Sequence, residues 1–223
     1  MNYNEILLNF INGFPNDEPI LIEDIKTYFK KSLKITDNLL VKVMKTIYVY
    51  INRLVHSGVI KSDCKGVYYK PTHTLLGEVP LNKSKLIEKK YIKNGDDIKG
   101  YVVGPYLFNA LGLNSQVPVI QHIVTNECPN RNEYKIPELS VVIRNSKIPI
   151  TNDNYAYLQL IEKLRNKDKV KIEVTNKEYR KIIYEFVDHF ELKLMRLFEI
   201  AFLVGGKSSI NKLYELVSLN ENG

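Results

Sequence analysis

The sequence predicts an α+β fold in two domains, over residues 1–72 and 73–223. Three observations lead to this prediction. The length of 223 residues can supply a core for more than one domain. Residues 37–71 combine a long amphipathic helical pattern with two short strand patterns around a polar turn. The second domain mixes apolar strand patterns with helical stripes, which predicts an α/β domain with a small sheet and a helical C-terminal part.

Two shorter helices are expected before the long one. Residues 3–11 carry apolar side chains at three- and four-residue spacing, which predicts a first helix. A loop with two prolines follows over residues 13–19, and residues 20–30 predict a second helix. Residues 31–36 would then form a turn that is longer than the tight turn of a helix-turn-helix.

The long helix, expected over residues 38–56, has two chemically different faces. At 100° per residue its apolar side chains gather on one face. The opposite face collects Lys42, Lys45, Val49, Asn52, Arg53 and His56. Gly58 stands where a glycine commonly stops a helix, and two short strands with basic residues follow it. A helix followed at once by a basic hairpin is typical of the second half of a winged helix-turn-helix.

Positive charge is concentrated in the same region. Residues 20–70 hold ten Lys or Arg against four Asp or Glu, within a chain of net charge +7. Such a concentration favours a polyanion partner, and a basic helix with a basic hairpin favours double-stranded DNA over a merely solvated surface. The predicted DNA-binding residues are Lys42, Lys45, Thr46, Val49, Asn52, Arg53 and His56 on the helix, with Lys61 and Lys65 on the hairpin near phosphates.

In the second domain, residues 99–103 are expected to form a strand, Pro105 to begin a helix and Gly112 to end it. A polar group follows at the end of that helix: Asn109, Asn114, Ser115 and Gln116. These side chains could contact a partner or a nucleic acid, or they could shape the turn and satisfy nearby backbone. Further strands are expected from 117 to 125 and over 134–144, and helices over 154–164, 175–190, 194–204 and about 208–219.

Residues 104–118 carry a recognisable motif, whose strongest parts are Asn109-Ala110-Leu111-Gly112-Leu113 and Gln116-Val117-Pro118. Together with the preceding winged-helix pattern, over roughly residues 20–145, it resembles the AbiEi antitoxin family of type IV toxin–antitoxin systems, which serve in phage defence. The resemblance implies a DNA-binding antitoxin that represses its own operon at promoter inverted repeats. It also implies a nucleotidyltransferase-like toxin as functional partner, countered without a necessary direct complex. Residues 150–223 match no motif, so the resemblance implies no role for them.

The remaining motifs argue against an enzyme. The run 204–209 lacks the first glycine of a phosphate-binding loop and follows a helical pattern, so it is interpreted as a helix break. Neither a nucleophile elbow nor a paired metal-ligand spacing occurs, and the two cysteines are far apart, so no cofactor and no metal are expected. The absence of a signal or membrane pattern indicates a cytoplasmic protein. A protein-interaction module, with the winged helix as adaptor, remains the alternative function, and an unrecognised nucleic-acid-processing enzyme a third.

Overall fold

The computed structural model describes residues 2–129 and 133–218 and has the mixed α+β fold that the sequence predicts. By its internal contacts the chain divides into two compact units, Met1–Lys89 and Lys90–Gly223. Across the described residues, no helix combines the length and apolar character that crossing a membrane requires.

The described part of the first unit has three long helices, one short helix and a three-stranded antiparallel sheet. Its elements are α1 (Tyr3–Asn12), β1 (Ile20–Leu21), α2 (Ile22–Leu33), α3 (Asp37–His56), β2 (Lys61–Cys64), β3 (Val67–Tyr69), β4 (Thr72–Thr74), β5 (Gly77–Val79) and α4 (Lys83–Ile87). The sheet has the order β1-β3-β2. The two strands that follow α3 form a hairpin, and β1 pairs with the other edge of β3. Strands β4 and β5 form a separate hairpin.

The three long helices enclose the core of this unit. The side chains at its centre are completely or almost completely buried: Leu7 and Ile11 from α1, Ile25 and Phe29 from α2, and Ile47 and Ile51 from α3. Burying one such side chain stabilises a fold by roughly 1.5–3 kcal/mol, so this set holds the helices together. The packing face that the periodicity predicted for α3 is therefore confirmed.

The turn between α2 and α3 is shorter than the sequence predicts. Helix α2 continues to Leu33 and α3 begins at Asp37, so three residues connect them. Lys34 has a left-handed backbone (φ 50°), and its N–H donates to the carbonyl of Lys30, which ends α2. The expectation of a long turn is wrong because residues 31–32 lie on the exposed side of α2, where no apolar repeat marks the helix.

The end of α3 follows the predicted glycine stop. The N–H of Gly58 (φ 76°) donates to the carbonyl of Val55 at 3.1 Å, and the N–H of Val59 donates to that of Leu54 at 3.0 Å. This pair of hydrogen bonds is the Schellman arrangement, in which glycine adopts the left-handed conformation at no steric cost. It turns the chain directly from α3 into the hairpin.

The β2–β3 hairpin is anchored against α2 by its turn. The carbonyl of Gly66 accepts the N–H of Ile22 at 2.9 Å, and a Cβ built on Gly66 (φ 77°) would lie 3.2 Å from the Cγ2 of Ile22. A side chain at this position would meet both backbone strain and a close contact. The register of β2 against β3 also shifts between Ser62 and Cys64, as at a β-bulge.

Residues beyond 72 continue to contact the first unit. Lys85 Nζ, on α4, lies 2.6 Å from a carboxylate oxygen of Glu18. After α4, a π-helical turn begins at Glu88, and Lys89 Nζ lies 2.6 Å from a carboxylate oxygen of Asp24. These contacts place β4, β5 and α4 with the first unit, although the sequence-based boundary was drawn after residue 72.

The second unit contains a four-stranded sheet and three long helices. Its elements are β6 (Lys93–Asn94), β7 (Asp97–Ile98), β8 (Gly100–Val103), α5 (Pro105–Ala110), β9 (Gln121–Thr125), β10 (Tyr134–Ile136), β11 (Val141–Arg144), α6 (Tyr155–Asn166), α7 (Asn176–His189) and α8 (Leu194–Ser218). The main sheet has the order β10-β11-β9-β8, with β9 and β11 parallel and the other pairs antiparallel. Helix α6 packs against β8 and α8.

Two strand predictions in this unit are wrong. The single strand expected over residues 134–144 is two antiparallel strands, because Pro137 begins a 3-10 turn and Ser140 takes a left-handed backbone (φ 54°). The strand expected from residue 117 begins only at Gln121. Proline supplies no N–H to a sheet, and Pro118 lies within the segment that stays outside.

The helices of the C-terminal part agree more closely with those predicted from the sequence. Thr175 and Glu178 form the predicted capping box at the start of α7. Helix α8 is broken at Gly206 (φ 57°, ψ −147°), which corresponds to the two separate helices that the sequence predicts. The expected end of the last helix near residue 219 lies outside the described residues.

Candidate nucleic-acid interface

The exposed face of α3 carries all seven helix residues predicted to contact DNA. At 3.6 residues per turn they fall in a sector of roughly 120°, opposite the buried apolar stripe. The members of this α3 face, all exposed, are Lys42, Lys45, Thr46, Val49, Asn52, Arg53 and His56. The structure therefore brings the predicted helix residues together on one accessible surface.

The α3 face is positively charged without local compensation. No Asp or Glu occurs in residues 38–62. Among the described residues, Lys42, Lys45 and Arg53 form no ion pair with a carboxylate. By contrast, Lys30 lies 2.7 Å from Asp37 at the start of α3. The three uncompensated cations remain available to an external anion such as a phosphate.

The C-terminal half of the α3 face is partly pre-oriented. The guanidinium carbon of Arg53 lies 5.5 Å from the ring centroid of Tyr50, a cation–π distance that leaves its N–H donors at the surface. His56 Nδ1 lies 2.7 Å from the carbonyl oxygen of Asn52, which leaves Nε2 for a hydrogen bond to a bound partner. Arginine and asparagine are side-chain types that form paired hydrogen bonds with base edges.

The two hairpin lysines differ in their surroundings. Lys61 Nζ lies 2.5 Å from a carboxylate oxygen of Glu78 on β5. This hydrogen bond raises the pKa of Lys61 and lowers the pKa of Glu78. Lys65, at the turn between β2 and β3, is exposed and has no carboxylate partner in the described part of the chain. Of the two predicted phosphate contacts, Lys65 is the uncompensated one.

Sequence reasoning missed two further cations beside α3. Lys31, at the end of α2, and Lys34, in the α2–α3 turn, are both exposed. Both fall within the turn predicted from the sequence over residues 31–36, and neither was assigned a role there. The half-buried Leu33, four residues after the buried Phe29, is the sequence signal that would have extended α2.

The polar group at the end of α5 is engaged within the second unit. Asn114 is nearly buried (6% exposed), its Nδ2 donates to a backbone carbonyl after α6 at 2.7 Å, and its Oδ1 accepts the N–H of Gln116 at 2.6 Å. Asn109 Nδ2 donates to the carbonyl of Asn114 at 2.9 Å. The N–H of Ser115 donates to the carboxylate of Glu173, and hydrogen bonds from Ser115 lower the pKa of Glu173. These contacts support the turn-shaping alternative for Asn109 and Asn114, whereas Ser115 and Gln116 remain exposed.

The described residues contain no group of three or more His, Cys, Asp or Glu side chains that could hold a metal ion. The α3 face offers cationic and hydrogen-bonding side chains. No protein-family model matches the sequence, and comparison with characterised proteins finds none with significant similarity to it.

Proposed function

We propose that the first unit is a winged helix-turn-helix that binds double-stranded DNA through the α3 face. The observation that carries this proposal is the uncompensated cationic surface of α3, directly followed by the β2–β3 hairpin. The order α1-β1-α2-α3-β2-β3, the sheet order β1-β3-β2 and the three-residue turn before α3 support it, because this is the arrangement that presents a recognition helix and a wing.

In this proposal α3 lies in the major groove. Its 20 residues span about 30 Å, and a major groove about 12 Å wide admits one helix. Recognition helices contact base edges mainly through their N-terminal half, which here offers Lys42, Lys45 and Thr46. Arg53 and Lys65 would lie closer to phosphates, where a point charge or a guanidinium releases counterions.

We further propose that the chain is an AbiEi-like antitoxin. It would repress its own operon at promoter inverted repeats and counter a nucleotidyltransferase-like toxin. This part of the proposal rests on the resemblance of residues 104–118 to that family and on the DNA-binding features of the first unit. Two copies of the winged helix on an inverted repeat would match the twofold symmetry of such a site.

The first test of the proposal is binding to the DNA upstream of the chain's own coding sequence. We expect the double variant K45A/R53A to lose roughly 100-fold or more in affinity by fluorescence anisotropy, since each such contact contributes ~1–3 kcal/mol. Its thermal transition should stay unchanged because both side chains are exposed.

The matched control is K177A/K181A, which removes two exposed lysines from α7. An equal loss of affinity in this control would show that only overall charge matters. A large drop in the melting temperature of K45A/R53A would show that the α3 face is needed for folding instead.

The salt dependence of binding tests the phosphate contacts. With Arg53 and Lys65 from each of two copies near phosphates on one site, the slope of log K against log salt should be about −4. A slope near zero would contradict a DNA-binding surface built from these cations.

The antitoxin role is tested by co-expression with the product of the adjacent gene. Rescue from toxicity without a co-purifying complex is the expected result. Absence of a nucleotidyltransferase-like gene beside this one, or toxicity that persists, would contradict the antitoxin proposal and leave the DNA-binding proposal standing.

A second candidate function is direct binding of a toxin or another protein by the second unit. The observation that favours it is an exposed apolar segment before β9, where Val117 is 75% exposed and Val119 85%. Apolar clusters of this kind commonly mark interaction surfaces. A stable complex that is lost in V117S/V119S, with DNA binding retained, would select this function.

A further inference from the structure

The second unit contains a cavity of about 420 Å³ that neither the fold nor the proposed DNA contacts explain. It opens where β8 runs into α5, and the end of β11 and one side of α6 complete its wall. Cavities that bind small molecules commonly measure roughly 300–1,000 Å³, so a ligand of nucleotide size fits this one.

In the lining of this cavity, called the basic cavity below, cations outnumber carboxylates. Four cationic side chains line it, against two carboxylates: Arg144, Lys147, Arg165 and Lys169, with Glu133 and Glu162. Lys147 and Lys169 are exposed and have no carboxylate partner among the described residues. Their charge is uncompensated, which favours an anionic occupant.

The two arginines are held in place by one carboxylate. Glu162, on α6, accepts a hydrogen bond from Arg144 Nη2 at 2.6 Å, and its other oxygen lies 3.7 Å from Arg165 Nη1. Asn166 Nδ2 donates to the same carboxylate at 2.8 Å. A guanidinium has five N–H donors, so this arrangement orients both arginines while leaving most of their donors for other acceptors.

Part of the lining is apolar. Val103, Pro105 and Val170 supply apolar surface. Gly104, between them, has φ 69° and ψ −156°, a conformation that is essentially restricted to glycine. The cavity therefore combines cationic side chains with apolar surface.

We propose that the basic cavity binds a small ligand that carries at least two linked phosphates, of the size of a nucleoside diphosphate or triphosphate. The phosphates would lie among Arg144, Lys147 and Lys169, because planar guanidinium groups and ammonium groups are the preferred protein partners of phosphate oxygens. The apolar surface would contact the nucleoside. This binding is independent of the proposed DNA-binding function.

The test is isothermal titration of the full chain with ATP, GTP, pyrophosphate and, as reference anion, sulfate, without added metal. We expect one saturable site per chain for the phosphate compounds, and weaker binding of sulfate. Tighter binding of a nucleotide than of pyrophosphate would identify the nucleotide as the natural occupant, and equal binding would identify a free diphosphate. Absence of binding by all phosphate compounds, or equal affinity for sulfate, would overturn the proposal.

Variants locate the site. K147Q should weaken binding roughly tenfold or more without affecting folding, since Lys147 is exposed and unpaired in the described residues. R144Q should weaken phosphate binding further. If R144Q does not fold, K147Q alone still tests the site, because Lys147 is exposed. K45Q on the α3 face and K177Q on α7 should bind as the wild type does. Full affinity in K147Q with loss in K45Q would place the anion on α3 and overturn the proposal.

Discussion

Lys163 provides a direct test of how the core of the second unit is built. It lies on α6 with 1% of its surface exposed, and its Nζ has no hydrogen-bond partner among the described residues. The ring centroid of Phe186 lies 4.6 Å from this nitrogen. Burial lowers the pKa of Lys163 from 10.5 to about 8. We expect Lys163→Met, which keeps the length and removes the charge, to stabilise the protein at neutral pH.

The size of this stabilisation follows from the difference between the pKa of Lys163 in the unfolded chain, 10.5, and its pKa in the folded protein, about 8. The unfolded chain binds the proton more tightly than the folded chain, so at pH 7 the protonated side chain lowers the free energy of unfolding by roughly 3 kcal/mol. Loss of the cation–π contact with Phe186 offsets about 1 kcal/mol. The net gain in K163M should be about 2 kcal/mol. As the pH rises from 8 towards 10.5 the wild-type lysine loses its proton, the penalty disappears and the gain should vanish.

The assay is urea unfolding of wild type and K163M at pH 7, 8, 9 and 10. The control is K177M, which replaces an exposed lysine of α7 and should leave the free energy of unfolding nearly unchanged at every pH. If K163M is less stable than the wild type at pH 7, or if its gain in stability does not depend on pH, Lys163 does not carry an unpaired charge in this core.

Three further predictions concern the glycine turns, the hairpin and the α5 loop. Gly66→Ala should lower the free energy of unfolding by about 1–3 kcal/mol in urea titrations, and more than Gly58→Ala does, because both have positive φ but only Gly66 faces a close methyl group. Glu78→Gln should release Lys61 and steepen the salt dependence of DNA binding by about 0.9 per copy; an unchanged slope would mean that Lys61 does not reach phosphate. Asn114→Ala should lower the melting temperature, with a loss of about 1–3 kcal/mol, since it leaves a part-buried carbonyl and a part-buried N–H without this partner; an unchanged transition would contradict its structural role.

Much of the fold could be predicted from the sequence where the signal is local. The faces of α3, the glycine stop at Gly58 and the capping box of Thr175 with Glu178 depend on residues within one or two turns of each other. The exposure of the predicted α3 residues follows from the same periodicity. The length of the α2–α3 turn was mispredicted because Leu33, one helical turn after Phe29, is a single apolar marker and the residues between them are polar.

Local spacing was thus enough for the α+β class, for α3 and for a cationic face on it. Contacts between distant parts of the chain decided the rest: Lys61 meets a carboxylate seventeen residues away, and Lys163 lies in a core that three helices share. The basic cavity likewise joins side chains from β11, α6 and the segments that follow them. The periodicity of a sequence predicts single helices and strands, because it depends on neighbouring residues. Ion pairs, burial and cavities depend on which of these elements pack together.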